Sequence, residues 1–389
     1  MRHLACVPLR IGYVSKLPPS SSGVARYAED FMKALAIVGE LAWVLPLRVA
    51  APESQRLRTI LRVVVTTVHK VRSKKLDVVH IELSGRALAE FYAALAIMFC
   101  CPDVRLWLTI HDAPHVTGGV GYISLLDRRV LRRLAHLFSV SAGRVLERYL
   151  LNRADRVFCL SSYGATATER FFGLRRSIDA LPFVTSLPPL SDKSSDSVTI
   201  FCPGHVGSDE MVLPVFPAVV DLPAHCKVTV EIGHCDRATR KSLQKIAEEM
   251  GLSDRVVFLG YLTQQRELDQ AFERAAIVVR HRPPGETNLG NWAAVSGPII
   301  SAMAQGCAVI SSDSRGVREY LQHGITALDL ADDPAEVSGA VAKLLSSASV
   351  RNSMGTHARA YIASHNTPEI VAAWILALNG NIDGRLTRE

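Results

Sequence analysis

Residues 295–313 read VSGPIISAMAQGCAVISSD, and their pattern indicates the fold class. Pro298 suits the first position of a helix, and the preceding Ser296 and Gly297 make a strong helix start. Gly306 suits the residue that ends the helix, and the run CAVIS behind it has the composition of a buried strand. A helix that leads through one glycine into a buried strand is typical of an α/β fold with a parallel sheet.

The same alternation of helical periodicity and short apolar runs extends along both halves of the chain. In the first half it predicts strands at 11–15, 41–47, 77–83, 104–111, 156–161 and 178–183. The predicted helices between them are 24–37, 56–72, 86–101, 126–151 and 164–172. In the second half the predicted strands are VTIFCP, KVTVEIG, RVVFLG, AIVVR, CAVIS and TALDL. The predicted helices there are 237–250, 265–274, 298–305, 315–321, 334–346, 350–363 and 368–378.

A linker divides these two series of elements. Residues 186–197, SLPPLSDKSSDS, combine proline, serine and aspartate without periodicity. The chain of 389 residues also exceeds the roughly 250–300 at which single cores stop growing. We therefore predict two doubly wound α/β domains, at residues 1–190 and 191–366. Ligands of such sheets lie beyond the carboxyl ends of the strands, so two facing domains would form a cleft.

Composition narrows the class of protein. Hydrophobic residues make up 48% of the chain and charged residues 21%, which indicates a well-buried globular protein. No apolar run reaches the roughly 18–20 residues of a membrane span, and the N-terminus lacks the apolar segment of a signal peptide. The eight cysteines form no C-x-x-C pair, which argues against a structural zinc. A reduced, cytoplasmic protein is the expectation.

Positive charge is concentrated in the first half. Residues 1–192 hold 26 Lys and Arg against 15 Asp and Glu, whereas the remainder holds 18 against 22. A Leu-rich helical spacing carries many of the arginines: Arg128, Arg129, Arg132, Arg133, Arg144, Arg148, Arg153 and Arg156. A basic amphipathic helix is typical of contact with an anionic membrane surface or an acidic acceptor, and a solvated face over buried leucines is the alternative. Nucleic acid is not expected, because aromatic residues are only 6% of the chain and do not interleave with the basic ones.

The loop after the first predicted strand, residues 15–27, reads SKLPPSSSGVARY. Ser22 suits a helix N-cap, and Gly23 followed by Val24 lets the backbone approach a ligand at the positive helix end. Free N–H groups there can bind phosphate or the hydroxyls of a polar ligand. The loop is neither G-x-G-x-x-G nor a Walker loop, which argues against the usual NAD and ATP chemistry. A plain connecting loop is the alternative.

The segment TIHDAPH, residues 109–115, ends the fourth predicted strand. His111 and Asp112 therefore carry polar groups to the carboxyl edge of the sheet. His111 and His115 also have a spacing that a metal can use, but no third ligand is identifiable, so no metal is expected. A structural histidine is the alternative.

The segment RHRPPGETN, residues 280–288, precedes the helix that begins at Pro298. The amino end of that helix is a second place where a diphosphate can bind. Glu286 is placed to accept hydrogen bonds from sugar hydroxyls.

A resemblance to the retaining family-four glycosyltransferases of the GT-B fold is carried by SSGVARYAEDFMKAL, TIHDAPH, RVFCLSSYG, VTVEIG, RVVFLGYL, GET…SGPIISAMAQGCAVISSDSRGVREYL and HGITALDL. These segments occur in the family's order over nearly the whole chain. The resemblance implies two Rossmann-like domains, the first holding the acceptor and the second the nucleotide-sugar donor. It also implies that residues 367–389 form a helix that crosses back to the first domain. It implies no metal or other cofactor, because helix ends and basic side chains neutralise the leaving diphosphate.

Site residues carry over by position in the matching motifs. Gly23 resembles the first-loop glycine that approaches the donor phosphate, and His111 the histidine that contacts the transferred sugar. Glu286 resembles the first glutamate of the family's Glu-x7-Glu motif. Ser296 and Gly297 resemble the residues whose amides hold the diphosphate.

The second half departs from the family's pattern within that motif. Ser301 stands where the ribose-binding second glutamate is expected. Residues 288–295 form an insertion whose Trp292 could stack on a base or a sugar. Glu319 stands where family members place an acidic residue after the following strand.

The departure with the largest expected consequence concerns the diphosphate. An Arg and Lys pair is usual after the first strand of the second domain, and GHVGSDEM here offers His205 instead. Losing two cations beside a developing dianion costs several kcal/mol unless other cations replace them. Arg282 is the first candidate, with Arg280 and Lys16 as the others.

The sequence therefore predicts a retaining glycosyltransferase that uses a UDP- or GDP-sugar and a sugar-containing or lipid-linked acceptor, in glycan, glycolipid or glycosylated-metabolite biosynthesis. The expected reaction is same-face attack as the diphosphate leaves, with the diphosphate oxygen as base. A GT-B-like binding or scaffold subunit is the alternative, motivated by the missing Arg and Lys pair. A sugar-nucleotide epimerase and a phosphorylase share the architecture without further support.

Overall fold

The structure, a computed structural model, describes residues 8–18, 20, 23–47, 57–84, 88–117, 143–190, 197–223, 226–260, 262, 265–283, 293–312, 315–330 and 333–386. Contacts divide the chain into two compact units. The first comprises Met1–Val184, Gly290–Val295 and Pro368–Glu389, and the second Thr185–Leu289 and Ser296–Thr367.

The first unit is built on a six-stranded parallel sheet. Its strands are β1 Leu9–Lys16, β2 Gly39–Leu47, β3 Val78–Leu83, β4 Arg105–Ile110, β5 Arg156–Cys159 and β6 Asp179–Ala180. Its helices are α1 Gly23–Val38, α2 Leu57–Lys74, α3 Leu88–Cys100, α4 at 143–153, α5 Ser162–Phe172 and α12 Pro368–Leu386. The strand order β2-β1-β3-β4-β5-β6 reverses between β1 and β3, which is the flavodoxin-like pattern of a doubly wound sheet.

The second unit is built on another six-stranded parallel sheet. Its strands are β7 Ser197–Val206, β8 Lys227–Cys235, β9 Val256–Phe258, β10 Ala275–Arg280, β11 Ala308–Ser311 and β12 Leu328–Asp329. Its helices are α6 Phe216–Val220, α7 Arg237–Glu249, α8 Gln265–Arg274, α9 Gly297–Ala304, α10 Pro334–Ser346 and α11 Ala348–His365. The order β12-β11-β10-β7-β8-β9 is the Rossmann order, and it reverses between β7 and β10.

Burial explains why these segments form central strands. Every residue of β3 and of β11 is buried, as expected where helices cover both faces of a parallel sheet. The segment from α9 to β11 folds as its sequence pattern predicts. Gly306 adopts φ of 66°, and the N–H groups of Gly306 and Cys307 bond to the carbonyls of Met303 and Ala302. This pair of bonds is the Schellman ending of a helix. The predicted doubly wound α/β class is confirmed.

The C-terminal helix α12 belongs to the first unit, where it packs against α1. Its buried face includes Val371, Ala372 and Ile375. Arg156 anchors the helix, because its guanidinium donates to the carbonyl of Leu378 and pairs with Asp179 at 3.1 Å. The assignment of Arg156 to a basic helical stretch is therefore wrong: it begins β5 and serves an internal contact.

Some predicted elements are shorter than expected. The helix predicted at 315–321 is wrong, because only Arg318–Tyr320 form a single 3₁₀ turn, closed by a bond from the Tyr320 N–H to the Val317 carbonyl. Val317 and Tyr320 are both buried, so the apolar spacing of three that suggested a helix is satisfied by that one turn. The strand predicted from TALDL is reduced to β12, with one isolated bridge between Ala327 and His323 before it. The predicted helix 126–151 is described from residue 143 onward, where it is helical.

No helix among the described residues is long and apolar enough to cross a membrane.

Candidate functional site

The carboxyl ends of β7 and β10 lie side by side at the point where the strand order of the second unit reverses. Arg280, the last residue of β10, donates from Nη1 to the carbonyl oxygen of Pro203 at 2.9 Å and to that of His205 at 3.4 Å. The guanidinium thus joins the two strand ends. Ligands of doubly wound sheets bind at such a reversal, so this edge is the candidate nucleotide site.

Two glycines bring the neighbouring backbones close at this edge. Gly204 has φ of 83°, a left-handed conformation that glycine adopts without strain. A Cβ on Gly204 would lie 3.4 Å from Nη1 of Arg280 and 3.8 Å from Cγ of Pro298. A Cβ on Gly233 would lie 2.7 Å from the Gly204 carbonyl oxygen, closer than van der Waals contact allows. The amino end of α9 therefore lies beside the strand ends that Arg280 joins.

The first turn of α9 has one N–H group, that of Gly297, available to a ligand. Ser296 is the N-cap with an extended backbone, and its side chain forms no capping bond. The N–H groups of Ile299 and Ile300 bond to the Ser296 carbonyl, and Pro298 has no N–H. Among the described residues, the Gly297 N–H has no acceptor, so it is free to donate to an anion at the positive helix end.

The loop after β10 is tied to the end of β11. Ser312 Oγ lies 2.7 Å from Nδ1 of buried His281 and accepts the Arg282 N–H at 3.2 Å. This fixes the backbone of Arg282, whose side chain stays half-buried. The exposed His205 follows the β7 bulge, and its ring lies 5.4 Å from that of His234.

Lys16 occupies a different place from the other predicted cations. It ends β1 in the first unit, where Nζ donates to Ser84 Oγ at 2.9 Å and only 8% of the residue is exposed. Arg280, Arg282 and His205 all belong to the second unit.

The remaining residues predicted for the second unit have varied positions. Glu286 and Trp292 lie outside the described residues. Ser301, which stands where the family's second glutamate is expected, is buried in α9. Glu319 is exposed on its 3₁₀ turn, and its carbonyl accepts the Tyr361 hydroxyl at 3.3 Å.

The end of the insertion packs into the first unit. Ala293 is 1% exposed within the hydrophobic core of that unit, and its N–H donates to the Ala113 carbonyl at 3.2 Å. Gly164 permits the approach, because a Cβ there would lie 3.1 Å from the Ala293 carbonyl oxygen. Residues Gly290–Val295 thus belong to the first unit, although the chain around them belongs to the second.

In the first unit, Gly23 and Val24 begin α1, as the sequence predicts. Gly23 is exposed, and no atom of the described structure lies within 4 Å of a Cβ built on it. Among the described residues, the side of Gly23 on which a Cβ would lie is therefore open.

His111 follows β4 directly and is held by a buried carboxylate. Its Nε2 lies 2.7 Å from Glu82 Oε2. Tyr13 donates its hydroxyl to Glu82 Oε1 at 3.0 Å, and His80 Nε2 lies 3.2 Å from the same oxygen. His80 Nε2 also lies 2.8 Å from Thr109 Oγ1. Side chains from β1, β3 and the end of β4 thus converge on one glutamate.

The charge of Glu82 follows from these contacts. Burial by itself raises the pKa of its carboxyl, but the charge of His80 and the hydrogen bonds from His111 and His80 outweigh it and lower the pKa to about 2. Burial and the nearby Glu82 charge raise the pKa of Tyr13 well above its ordinary value, so the phenol remains a donor. The carboxylate is therefore ionised at neutral pH and accepts hydrogen bonds from Tyr13, His80 and His111.

Sequence reasoning identified His111 but missed Glu82, His80 and Tyr13. A signal was present in VVHIEL of β3, where His80 and Glu82 alternate with apolar residues and therefore share one face of a buried strand.

His111 and His115 do not form a pair. His115 packs its ring against Phe171 at 4.7 Å between centroids, while His111 is bound to Glu82. Within the described ranges, no group of three His, Cys, Asp or Glu side chains is arranged to hold a metal ion.

Comparison with known proteins agrees with this architecture. Residues 206–347 match the family model described as Glycosyl transferases group 1. The HepE protein of Anabaena, solved in complex with UDP and glucose, superposes with a TM-score of 0.66 at 14% identity, covering 96% of this chain and 100% of that one. A sucrose-phosphate synthase from Thermosynechococcus elongatus gives 0.67 at 16% identity, covering 97% and 100%. A glycosyltransferase from Rickettsia africae gives 0.65 at 13% identity, covering 96% and 98%.

No curated protein matches the chain. The structural similarities, at these identities, establish the GT-B fold, and the family match supports the glycosyltransferase class through the segment that contains the β10 end and α9. The predicted fold class is confirmed.

Proposed function

We propose that this protein is a retaining glycosyltransferase that moves a sugar from a nucleoside-diphosphate sugar to an acceptor hydroxyl. The observation that carries the proposal is the convergence of Arg280, Gly204 and the amino end of α9 at the strand reversal of the second unit. This edge lies in and beside the segment that matches the group 1 glycosyltransferases.

The chemistry of the leaving group explains why these residues are needed. A departing nucleoside diphosphate develops negative charge that must be stabilised as the glycosidic bond breaks. The helix end supplies roughly half a unit charge, and the Gly297 N–H supplies a donor. Arg280 adds a full positive charge whose position is set by the Pro203 carbonyl. These groups can stabilise the diphosphate without a metal ion, so we propose metal-independent transfer.

The donor that we propose is a UDP- or GDP-sugar, with UDP first because the HepE structures hold UDP, UDP-glucose or UDP and glucose. A thermal-shift screen against UDP, GDP, ADP and dTDP tests this, since a ligand that binds only the native state raises its melting temperature. A rise with UDP is the expected result. No rise with any of the four contradicts a nucleotide-sugar donor.

Retention at the anomeric carbon follows from same-face attack, with the diphosphate oxygen taking the acceptor proton. NMR of the product measures the outcome directly. A product with the donor's anomeric configuration is expected, and the opposite configuration would mean an inverting reaction.

The scaffold alternative is supported by one specific observation, the lack of Lys and Arg in GHVGSDEM, which spans the end of β7 and the residues after it. Donor hydrolysis in the absence of acceptor distinguishes the two functions. Slow release of free sugar from a bound UDP-sugar indicates an enzyme, whereas binding without release indicates a scaffold.

The first unit also has a face suited to an anionic lipid surface. On α2 the residues Leu57, Leu61 and Val65 recur every four positions and are 56%, 54% and 64% exposed. The helix also carries basic residues and no acidic one: Arg58, Arg62, Lys70, Arg72 and Lys74. We call this surface of α2 the basic face.

The helix α4 continues this character. Arg144, Arg148 and Arg153 are exposed, whereas Glu147 is buried and accepts both the N–H and the hydroxyl of Thr117. Tyr149 stacks on the exposed Phe99 of α3, with ring centroids 5.9 Å apart.

Apolar side chains flanked by cations without exposed acids match the interface of an anionic bilayer. We propose peripheral binding of the basic face to the inner membrane surface, where a lipid-linked acceptor would be presented. The arginines 128, 129, 132 and 133 lie outside the described residues and remain part of the same hypothesis.

A further inference from the structure

A single buried carboxylate controls the ring of His111. We propose that Glu82 is a positioning residue: it binds Nε2 of His111 and so leaves Nδ1 as the nitrogen that accepts a hydrogen bond from a substrate hydroxyl. This inference rests on the proposed transferase function and assigns it a residue that does not itself touch the substrate.

The geometry determines which nitrogen of His111 carries the proton. Glu82 is ionised, and an ionised carboxylate can only accept hydrogen bonds. Its Oε2 lies 2.7 Å from Nε2 of His111, so Nε2 must be the donor. Its Oε1 is occupied by the Tyr13 hydroxyl and approached by His80 Nε2. Because the carboxylate has no hydrogen to donate, it cannot pair with the tautomer of His111 that carries its proton on Nδ1 and leaves Nε2 unprotonated.

The ring is also held against rotation. Tyr27 meets the His111 ring edge to face, with centroids 4.8 Å apart and planes at 84°. The backbone N–H of His111 donates to the Leu83 carbonyl at 2.9 Å. No residue that the structure describes bonds to Nδ1, and His111 keeps 8% of its surface exposed at the carboxyl edge of the sheet.

Comparison with Glu147, another buried glutamate of the same unit, indicates that Glu82 does more than stabilise the fold. Glu147 is a second buried glutamate, 3% exposed, but both of its described contacts are to Thr117, where they hold a loop. Glu82 instead gathers donors from β1 and β3 and directs one oxygen to the residue at the edge of the sheet. Burying a carboxylate is costly unless it is fully hydrogen-bonded, and Glu82 meets that condition with His111 as a partner.

The first test is the protonation pattern of His111 in the wild-type protein. Long-range ¹H–¹⁵N NMR at about pH 8.5, above the ordinary histidine pKa of ~6.5, reports which ring nitrogen carries the proton. The His111 signals are assigned from the spectrum of His111→Gln. A proton on Nε2 alone is expected, and a proton on Nδ1 would overturn the proposal. This measurement needs no substrate, so it stands even if no donor sugar is ever turned over.

The second test is kinetic. We expect Glu82→Gln to lower kcat/KM for transfer by about 10–100-fold, the loss of a positioned hydrogen bond, while UDP affinity changes less than about twofold. The double variant Glu82→Gln/His111→Gln should lose no more than His111→Gln alone, because Glu82 acts only through His111. Glu147→Gln is the matched control: it also removes a buried carboxylate of the first unit and should leave kcat/KM unchanged.

Two kinetic results would contradict the proposal. Losses that multiply in the double variant would mean that Glu82 acts independently of His111. An equal loss of kcat/KM in Glu147→Gln, at an equal loss of stability, would mean that Glu82 serves the fold alone. Absence of transfer by the wild type would instead contradict the proposed function and leave the NMR result to decide the role of Glu82.

Discussion

Arg280 Nη1 lies 2.9 Å from the carbonyl oxygen of Pro203, so a cation from β10 is bonded to the end of β7. The two residues are 77 positions apart and meet only because β7 and β10 are neighbours in the sheet. Replacing Arg280 would therefore remove a contact between β10 and β7 as well as a positive charge. Arg282, whose backbone is fixed by Ser312, is therefore the better cation to remove in a test of binding.

We expect Arg282→Ala to weaken nucleoside-diphosphate binding at least about tenfold at every pH, because an arginine stays charged and a charge-assisted hydrogen bond is worth ~1.5–3 kcal/mol. Isothermal titration with UDP measures the effect. Arg266→Ala is the control, since it removes an exposed arginine of the same unit from α8. Unchanged affinity in Arg282→Ala would mean that Arg282 does not assist Arg280 in neutralising the diphosphate, and Arg280→Lys would then test Arg280 alone.

Glu286→Ala should lower transfer by about 10–1,000-fold while binding of free UDP barely changes, because the carboxylate is proposed to contact sugar hydroxyls and not the nucleotide. Parallel measurements of kcat/KM and of the UDP dissociation constant test this. Equal losses in both would contradict the assignment.

Gly233→Ala should destabilise the second unit by about 1–3 kcal/mol, since its Cβ would meet the Gly204 carbonyl oxygen at 2.7 Å. Gly339→Ala is the matched control in α10, where a Cβ meets nothing within 4 Å. That change should raise stability by about 0.5–1 kcal/mol through helix propensity. Urea denaturation of both variants measures their free energies of unfolding. Changes of the same sign in the two variants would mean that Gly233 does not lie close to the Gly204 carbonyl oxygen.

The pH dependence of stability tests the buried carboxylate. The pKa of Glu82 is lowered from 4.5 to about 2, so its contribution is present above the unfolded pKa and is lost as the pH falls through the folded one. Between about pH 4.5 and 2 the wild type should therefore lose stability relative to Glu82→Gln by up to about 1.4 kcal/mol per pH unit. Denaturant unfolding of both proteins across this range measures the gap. A gap that stays constant would mean that the carboxyl is not ionised in the native state.

The basic face predicts binding to vesicles that contain about 30% phosphatidylglycerol, weakening as salt screens the charges. Replacing Arg58 and Arg62 by Gln should reduce binding roughly 30-fold, at about 1 kcal/mol for each arginine near the surface. Arg237→Gln with Arg266→Gln, two exposed arginines of the second unit, is the control with the same net charge. Salt-insensitive binding, or equal loss in the control, would contradict a specific basic face.

Much of the architecture could be predicted because it depends on local patterns. The helix start at Pro298 and the helix end at Gly306 are both found where the residues require them. The errors have a local cause as well. Residues 315–321 have helical apolar spacing, but one 3₁₀ turn is enough to bury Val317 and Tyr320.

Local patterns along the chain specified two β/α series, glycines and a proline at helix ends, and polar residues such as His111 at the carboxyl edge of a strand. These depend on backbone conformation and hydrophobic periodicity, which neighbouring residues specify. The partners of those residues, by contrast, depend on the folded arrangement of the strands. Glu82 meets Tyr13 and His111 across 69 and 29 positions of chain, and no local pattern encodes such a distance. Strand order brings them together, and the charge of His80 with the hydrogen bonds from His111 and His80 then keeps the buried glutamate ionised, so that it holds one histidine in one orientation.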